Sequence, residues 1–292
     1  MGWATALSVL VFGSSGQVGR SLLDVQENRK AFFVSRKDCE LTDIDQIKAV
    51  LEQKRPSIII NAAAYTSVDS AEQESNRAHL VNEVSVRCMA SYAQANNAKL
   101  IHFSTDFVFD GKHDSPYQPE EYTNPLGAYG KSKLAGERAV LEEAPESAMI
   151  IRTSWVFSEH RLNFVKSMLR LMREKQEISV VNDQRGSPTY AGSLADIVWQ
   201  ISDRGLFTPG IFHWTDEGDV TWFEFAQAIQ EEALNAGRLQ KSITINEIAT
   251  SEYPTLAPRP AFSVLDNSKL VKLVGVKPIP WRQNLRKMLS RL

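Results

Sequence analysis

Tyr129, Gly130, Lys131, Ser132 and Lys133 stand at the start of a helically periodic stretch running to Glu143, so a phenol and an ammonium four residues apart share one helical face. Such a pair can deliver a proton. Upstream, the apolar run Val9 to Phe12 leads straight into Gly13-Ser14-Ser15-Gly16-Gln17-Val18-Gly19, whose glycines allow a tight turn and let a pyrophosphate approach the backbone at a helix N-terminus. The spacing is GxxGxxG rather than GxGxxG, so alone the loop also fits a plain structural turn. The strand before it and the Tyr/Lys pair after it point instead to a dinucleotide and hydride transfer.

Reduction of a carbonyl requires an acid for the developing oxyanion, and Tyr129 is placed to be that acid. A free phenol has a pKa of about 10. A neighbouring ammonium favours phenolate, so Lys133 is expected to bring Tyr129 toward neutrality while also holding the nicotinamide ribose. Ser104 and Thr105 close the apolar run that starts at Leu100, which puts their hydroxyls at the carboxyl edge of a parallel sheet; Thr105 can then polarise the substrate oxygen, although capping of the next turn is the plainer alternative. Ser35-Arg36-Lys37 follows the second strand, where an acidic residue would grip the ribose diol of NAD. Arg36 suits a 2′-phosphate, so NADPH is the expected cofactor and NADH an allowed second one; a solvated surface arginine is the alternative.

The elements that must position these groups are legible as apolar runs at Leu7 to Phe12, Ala31 to Val34, Ser57 to Ile60, Leu100 to Phe103 and Met149 to Ile151. Helical segments alternate with them at Gly19 to Glu27, Ile44 to Gln53, Ala78 to Ala95 and Tyr129 to Glu143, the last ending before Pro145. This is the alternation of an α/β, Rossmann-type doubly wound parallel sheet. Asn163 to Arg173 and Thr221 to Ala236 read as further helices, with a loop at Asp183 to Thr189. The expected division is a dinucleotide-binding domain over 1–158, rejoined by about 188–218, where Ala191 to Ser202 returns to the sheet, and a smaller mixed α/β substrate lobe from 159–187 and 219–292.

At 292 residues, 43% hydrophobic and 23% charged, the composition is that of a globular protein with an ample core and no apolar run long enough to cross a bilayer. Met1 to Phe12 lacks the basic segment of a signal peptide, so a cytoplasmic location is expected. Cys39 and Cys88 are the two cysteines and have no ligand-spaced companion, which supports neither a disulfide framework nor a zinc site. A net charge of −2 without a basic run excludes the electrostatic footprint of a nucleic-acid binder, leaving a small-molecule substrate. His79, His102, His113, His160 and His213 have no metal-like spacing and read as structural or solvent-facing.

The set GSSGQVGR, Asn61-Ala62-Ala63-Ala64-Tyr65-Thr66-Ser67-Val68-Asp69, Ser104-Thr105-Asp106-Phe107-Val108-Phe109-Asp110-Gly111, YGKSKLAGE and Arg152-Thr153-Ser154-Trp155-Val156-Phe157 resembles the extended short-chain dehydrogenase/reductases, and within them the family of dTDP-4-dehydrorhamnose reductases. The resemblance continues through DQRGSPT to Trp222-Phe223-Glu224-Phe225-Ala226 and Arg259-Pro260, nearly the whole chain. It implies NADPH-dependent reduction of the 4-keto group of dTDP-4-dehydro-L-rhamnose to dTDP-L-rhamnose, a precursor of bacterial surface polysaccharide. Thr105, Tyr129 and Lys133 fall on the family's catalytic positions. Gly13, Ser15, Gly16, Gln17, Val18, Gly19, Ser35, Arg36, Glu40, Leu41 and Ala62 to Ala64 (Ala62, Ala63, Ala64) would line the dinucleotide; Val68, Ser104, Asp106 and Trp155 would border the sugar. Trp155 offers a flat apolar face for a deoxysugar, with core packing the alternative. Arg259, bracketed by Pro258 and Pro260, is a candidate for the diphosphate, with a solvated surface arginine the alternative.

There are departures. The family usually has aspartate where Glu40 stands and tyrosine where Phe107 stands. Some members hold a divalent metal at a dimer interface, where this chain has Ser21 and Gly192, so no metal is expected there and the choice between monomer and homodimer is open. Three other readings share parts of the pattern. A 4,6-dehydratase would carry Asp-Glu after the threonine, where this chain has Asp106-Phe107. A 4-epimerase would share the fold and the Tyr/Lys pair, and a non-catalytic regulator resembling the β subunit of methionine adenosyltransferase would share Gly210-Ile211-Phe212-His213-Trp214.

Overall fold

A computed structural model describes residues 8–292, so Leu7 and the reading of Met1 to Leu7 lie outside the described residues. Strand and helix alternate through β1 (Val9–Phe12), α1 (Gln17–Asp24), β2 (Ala31–Val34), α2 (Ile44–Lys54), β3 (Ile58–Asn61), α3 (Val68–Gln73), α4 (Ser75–His79), α5 (Ser85–Ala95), β4 (Lys99–Thr105), α6 (Ala128–Glu143) and β5 (Ala148–Thr153). After β6 (Val156–Phe157) come α7 (Phe164–Glu174), β7 (Glu177–Val181), β8 (Arg185–Gly186), β9 (Thr189–Tyr190), α8 (Ala191–Asp203) and β10 (Gly210–His213). The chain ends with β11 (Val220–Thr221), α9 (Trp222–Asn235), β12 (Thr244–Ile248), α10 (Ser268–Val274) and α11 (Trp281–Ser290).

Six parallel strands form the main sheet in the order β10-β5-β4-β3-β1-β2. Their near-continuous apolar sequences follow from burial on both faces. Val11, Ile60, Ile101 and Ile151 point to the side covered by α1, α8 and α10. Leu10, Ile59, Leu100 and Ile150 point to the side covered by α2, α5 and α6. This is the doubly wound α/β sheet expected from the sequence. Strand order reverses between β1 and β3, and the crevice at such a switch point, beyond the carboxyl ends, is where open α/β sheets take ligands.

The run expected as one helix over Ala78 to Ala95 is interrupted: Leu80–Val84 widens into a π-helical turn between α4 and α5. Asn82 explains the widening. Its side chain accepts from the Tyr65 backbone N–H at 2.8 Å and donates to the Tyr65 carbonyl and the Ser132 hydroxyl. A Cβ at Gly136 would lie 2.0 Å from the Asn82 carbonyl, so α6 packs directly on the widened turn. The turn therefore couples the loop after β3 to the helix that carries Tyr129 and Lys133.

A second core gathers α7, α9 and α11 with the parallel pair β7 and β12, around Leu169, Ile178, Phe225, Ile229 and Leu285. Its helices start on side-chain caps. Asn163 accepts from the Lys166 N–H, and Thr221 and Glu224 form a reciprocal capping box. Gln17 joins the two cores: its amide donates to the Val156 carbonyl and accepts from Ser158 and Asn163.

Candidate active site

The glycine loop is a cradle that side chains would fill. Gly13 has φ +83°, and a Cβ there would lie 2.5 Å from the Ala63 nitrogen; one on Gly19 would lie 2.2 Å from the Gly13 carbonyl oxygen. Gly16 caps α1 with no side-chain bond to the first turn, leaving N–H groups for an anionic ligand. The loop therefore fits a dinucleotide pyrophosphate. Ser15 is half-buried, while Val18 packs on the core and the Gln17 side chain bonds Val156, so Val18 and Gln17 offer backbone rather than side chains. At the end of β2, Ser35 donates to Asp38 and the exposed Arg36 pairs with Glu40 at 2.6 Å. Leu41 is buried under the sheet edge, and Ala62 to Ala64 follow β3 against Gly13.

Thr105 ends β4 and Tyr129 opens α6. The Thr105 hydroxyl donates to Asp106 at 3.0 Å and accepts from the Phe107 N–H, and it neighbours the Tyr129 phenol. Phe107 packs edge-on against the Tyr129 ring, with centroids 5.6 Å apart. Burial pushes the phenol up to about 12, opposed by the neighbouring Thr105 hydroxyl and helped by the charge of Asp106. Asp106 is itself buried, which raises its carboxyl to about 6 against hydrogen bonds from Ser263 and Thr105, and its Oδ2 has no partner.

Lys133 lies one turn further along α6, almost fully buried, and donates to the Phe103 carbonyl at 2.7 Å. Its Nζ also lies 3.3 Å from His102 Nε2. The expectation that Lys133 draws Tyr129 toward neutrality is not met in this arrangement. The amino group is turned to β4 rather than to the phenol, and burial lowers Lys133 to about 8.

Other expected residues sit differently from the sequence reading. Ser104 turns away from the cleft and donates to the buried Glu137, because alternation along β4 puts it on the face under α6. Trp155, at φ +47°, stacks on Trp222 with centroids 3.4 Å apart, and Gly186 presses on its ring so closely that a Cβ there would lie 2.5 Å away. The flat face expected to receive a sugar is thus already covered. Arg259 is paired with Asp69 at 2.8 Å, which fastens the 254–262 loop beside Val68 at the start of α3 and occupies the guanidinium expected for a diphosphate.

Ser21 is buried, and a Cβ at Gly192 would strike the Tyr190 ring, so neither position offers a metal ligand. Among the described residues, Asp24, Glu159 and His160 come close enough to share a cation. They already satisfy one another and their neighbours: His160 meets Asp24 at 2.6 Å, and Glu159 takes Arg291 and Tyr190.

Sequence reasoning gave no role in the site to Asn61, Asn82, Glu137 and Arg152, and read His102 as structural or solvent-facing. Glu137 continues the four-residue stripe of Tyr129 and Lys133, and His102 alternates with Ser104 on β4, so the helix stripe and the strand face meet side by side. His213, read with His102 as structural or solvent-facing, is likewise buried, beside Arg152. The stripe was the available signal.

Residues 7–292 match the family model described as the RmlD substrate binding domain. The chain is 41% identical over 285 residues to dTDP-4-dehydrorhamnose reductase of Aggregatibacter actinomycetemcomitans, covering 95% of this chain and 97% of that protein. It is 38% identical to the spore coat polysaccharide biosynthesis protein SpsK of Bacillus subtilis, covering 97% and 96%. Among solved structures, the dTDP-4-dehydrorhamnose reductase of Bacillus anthracis in complex with NADP superposes with a TM-score of 0.91 at 34% identity, covering 99% of this chain and 100% of that one.

Proposed function

This chain belongs to the RmlD substrate binding domain family, and we propose that it is the reductase its relatives are named for. It reduces the 4-keto group of dTDP-4-dehydro-L-rhamnose to dTDP-L-rhamnose with NADPH, a step of nucleotide-sugar and polysaccharide biosynthesis. The observation that carries the residue assignment is the junction of Thr105, Tyr129 and Lys133 at the carboxyl edge of the sheet, across from the Gly13–Gly19 cradle.

Bound NADPH supplies the hydride to the keto carbon. Tyr129 supplies the proton that the keto oxygen needs, and a phenol near 12 keeps that proton throughout the physiological range. Thr105 orients the phenol and polarises the keto oxygen. Its single proton goes to Asp106 in the structure, so to polarise the keto oxygen the hydroxyl must turn that proton from Asp106 to the substrate. Lys133 holds the ribose of the nicotinamide once it leaves the Phe103 carbonyl. Val68, Asp106, the edge of Trp155 and the Asp69–Arg259 pair border the sugar nucleotide.

The direct test is NADPH oxidation with purified protein and freshly made dTDP-4-dehydro-L-rhamnose, with its D-sugar precursor as control. Turnover confined to the L-sugar is expected; tight NADPH binding without turnover would remove the reductase reading in favour of a regulatory subunit. The same proposal places the protein in the cytoplasm, in keeping with the free thiols of Cys39 and Cys88; recovery in an exported fraction would contradict that. No helix among the described residues is long and apolar enough to cross a membrane. Monomer and homodimer are separated by light scattering.

Arg36 decides cofactor preference. Its side chain is 63% exposed and, among the described residues, held only by Glu40, so it can turn to a 2′-phosphate with little reorganisation. Arg36→Ala should weaken NADPH by about ten- to a hundredfold, the worth of a hydrogen bond to a charged group, with NADH nearly unchanged. Equal losses for both nucleotides, measured by fluorescence titration, would exclude a 2′-phosphate contact.

A further inference from the structure

One buried chain of contacts ends on Lys133 and has no part in the reaction as described so far. Asn61, at the end of β3, and His102, its register partner on β4, are both sealed from solvent. Asn61 Oδ1 accepts from the Ala63 backbone N–H at 3.1 Å, and its amide nitrogen lies 3.1 Å from His102 Nδ1. On the other side of the ring, Nε2 lies 3.3 Å from Lys133 Nζ.

Counting protons fixes the polarity of this chain. A backbone N–H can only donate, so Asn61 must keep its oxygen toward Ala63 and its NH2 toward the imidazole. Nδ1 therefore presents a lone pair. Burial holds His102 far below the usual histidine range, so the ring is neutral and, with Nδ1 accepting from Asn61, its single proton sits on Nε2. That N–H points at Lys133. An ammonium there would set donor against donor, whereas a neutral amine accepts from Nε2 and still donates to the Phe103 carbonyl.

We infer that His102, with its tautomer set by Asn61 and Ala63, is a positioning residue that favours the neutral amine form of the resting Lys133, so that Lys133 binds a proton more tightly as it turns from His102 to the bound cofactor. The inference rests on the cofactor reading above. Because Ala63 also lies against the glycine cradle, the loop that lines the cofactor and the lysine that holds it are joined through two buried side chains. The other charged groups near Lys133 are few. Glu137, one turn on, favours the ammonium but is ion-paired with Arg152 of β5; Asp106 acts on Tyr129; Glu72 of α3 caps the first turn of α6.

The test begins without cofactor. Long-range proton–nitrogen correlation spectra of histidine-labelled protein should show His102 as the Nε2–H tautomer, and Asn61→Asp should reverse it, since a carboxylate accepts from both Ala63 and Nδ1–H and leaves Nε2 free to accept from an ammonium. Calorimetric titration with NADPH in two buffers of different ionisation enthalpy, on the alkaline side of the lysine midpoint near 8, should show proton uptake by the wild type and much less by Asn61→Asp. The alkaline limb of kcat/KM should move up by about one pH unit in that variant. His102→Gln, whose amide can turn its oxygen to Lys133, should move the limb the same way and serves if Asn61→Asp does not fold. A wild-type Nδ1–H tautomer, or NADPH binding without proton uptake, overturns the inference; absence of NADPH binding would instead fail the cofactor reading and leave the tautomer measurement standing.

Discussion

Tyr129→Phe should turn over its substrate at least about a hundredfold more slowly than the wild type, within the range that a positioned general acid supplies. The variant loses one oxygen and little else. Its ring keeps the edge-on contact with Phe107, and the Gly13–Gly19 cradle, Arg36 and Lys133 are untouched, so NADPH affinity measured by fluorescence should stay within a factor of a few. Loss of kcat with near-constant cofactor binding is the signature of an interaction made in the transition state alone. Wild-type turnover in this variant would show that the proton comes from elsewhere, with Asp106 the next group at hand, since its carboxyl near 6 is close enough to act on the phenol.

How the phenol is kept ready differs from what residue spacing suggests. Four-residue spacing places Tyr129 and Lys133 on one face, and that much is legible from sequence. Which way the lysine leans is decided by the strand beneath it, where the Phe103 carbonyl and His102 offer partners that the helix alone does not reveal. The same limit governs the rest of the site. Glycine spacing, the Val9–Phe12 strand and the Thr105 terminus are local signals, carried by turn geometry and by burial on both faces of a sheet. The Asp69–Arg259 pair joins residues 190 apart, and the Trp155–Trp222 stack joins the turn after β5 to the start of α9. Neither leaves a periodic trace. The π-helical turn is hidden for a related reason: Ala78 to Ala95 has good helical periodicity, and what widens it is a contact from Asn82 to Tyr65 and Ser132 on two other elements.

The fold itself was legible where strands are continuous apolar runs, and less so at β10. Gly210–His213 pairs with β5 after the chain has passed through α7, β7 and α8, so its membership in the sheet is a long-range event. His213 brings its ring to Arg152 at that strand's end, and the Tyr117 carbonyl accepts on its other side. The edge strand is thereby tied into the polar network under the active site.

That network carries the second large expectation. Arg152→Met should destabilise the protein by about 3 to 5 kcal/mol, the cost of leaving one partner of a buried ion pair uncompensated, and should lower the melting temperature by roughly 6 to 15 °C for a chain of this size. Arg152 and Glu137 are 2% and 1% exposed and meet through two bonds, of 2.7 and 2.9 Å. Methionine would restore much of the volume but none of the charge, and it would also remove the donor to the Pro119 carbonyl and the guanidinium 5.1 Å above the Phe109 ring. Glu137 would retain only the Ser104 hydroxyl. The double variant Arg152→Met, Glu137→Leu should recover most of the loss, because the attraction between two buried charges roughly offsets the cost of taking both out of water, and removing both avoids the orphan. Denaturant melts of the two single variants and the double variant separate these terms. A single-variant loss below about 1 kcal/mol would mean that water reaches Glu137 and that the pair is not the anchor of this face. A double variant that recovers stability but loses turnover would instead assign the pair to the site: Ser104 adjoins Thr105, and Glu137 lies one turn from Lys133, so the charges would then be kept for the alignment of β4 and α6 rather than for their net energy.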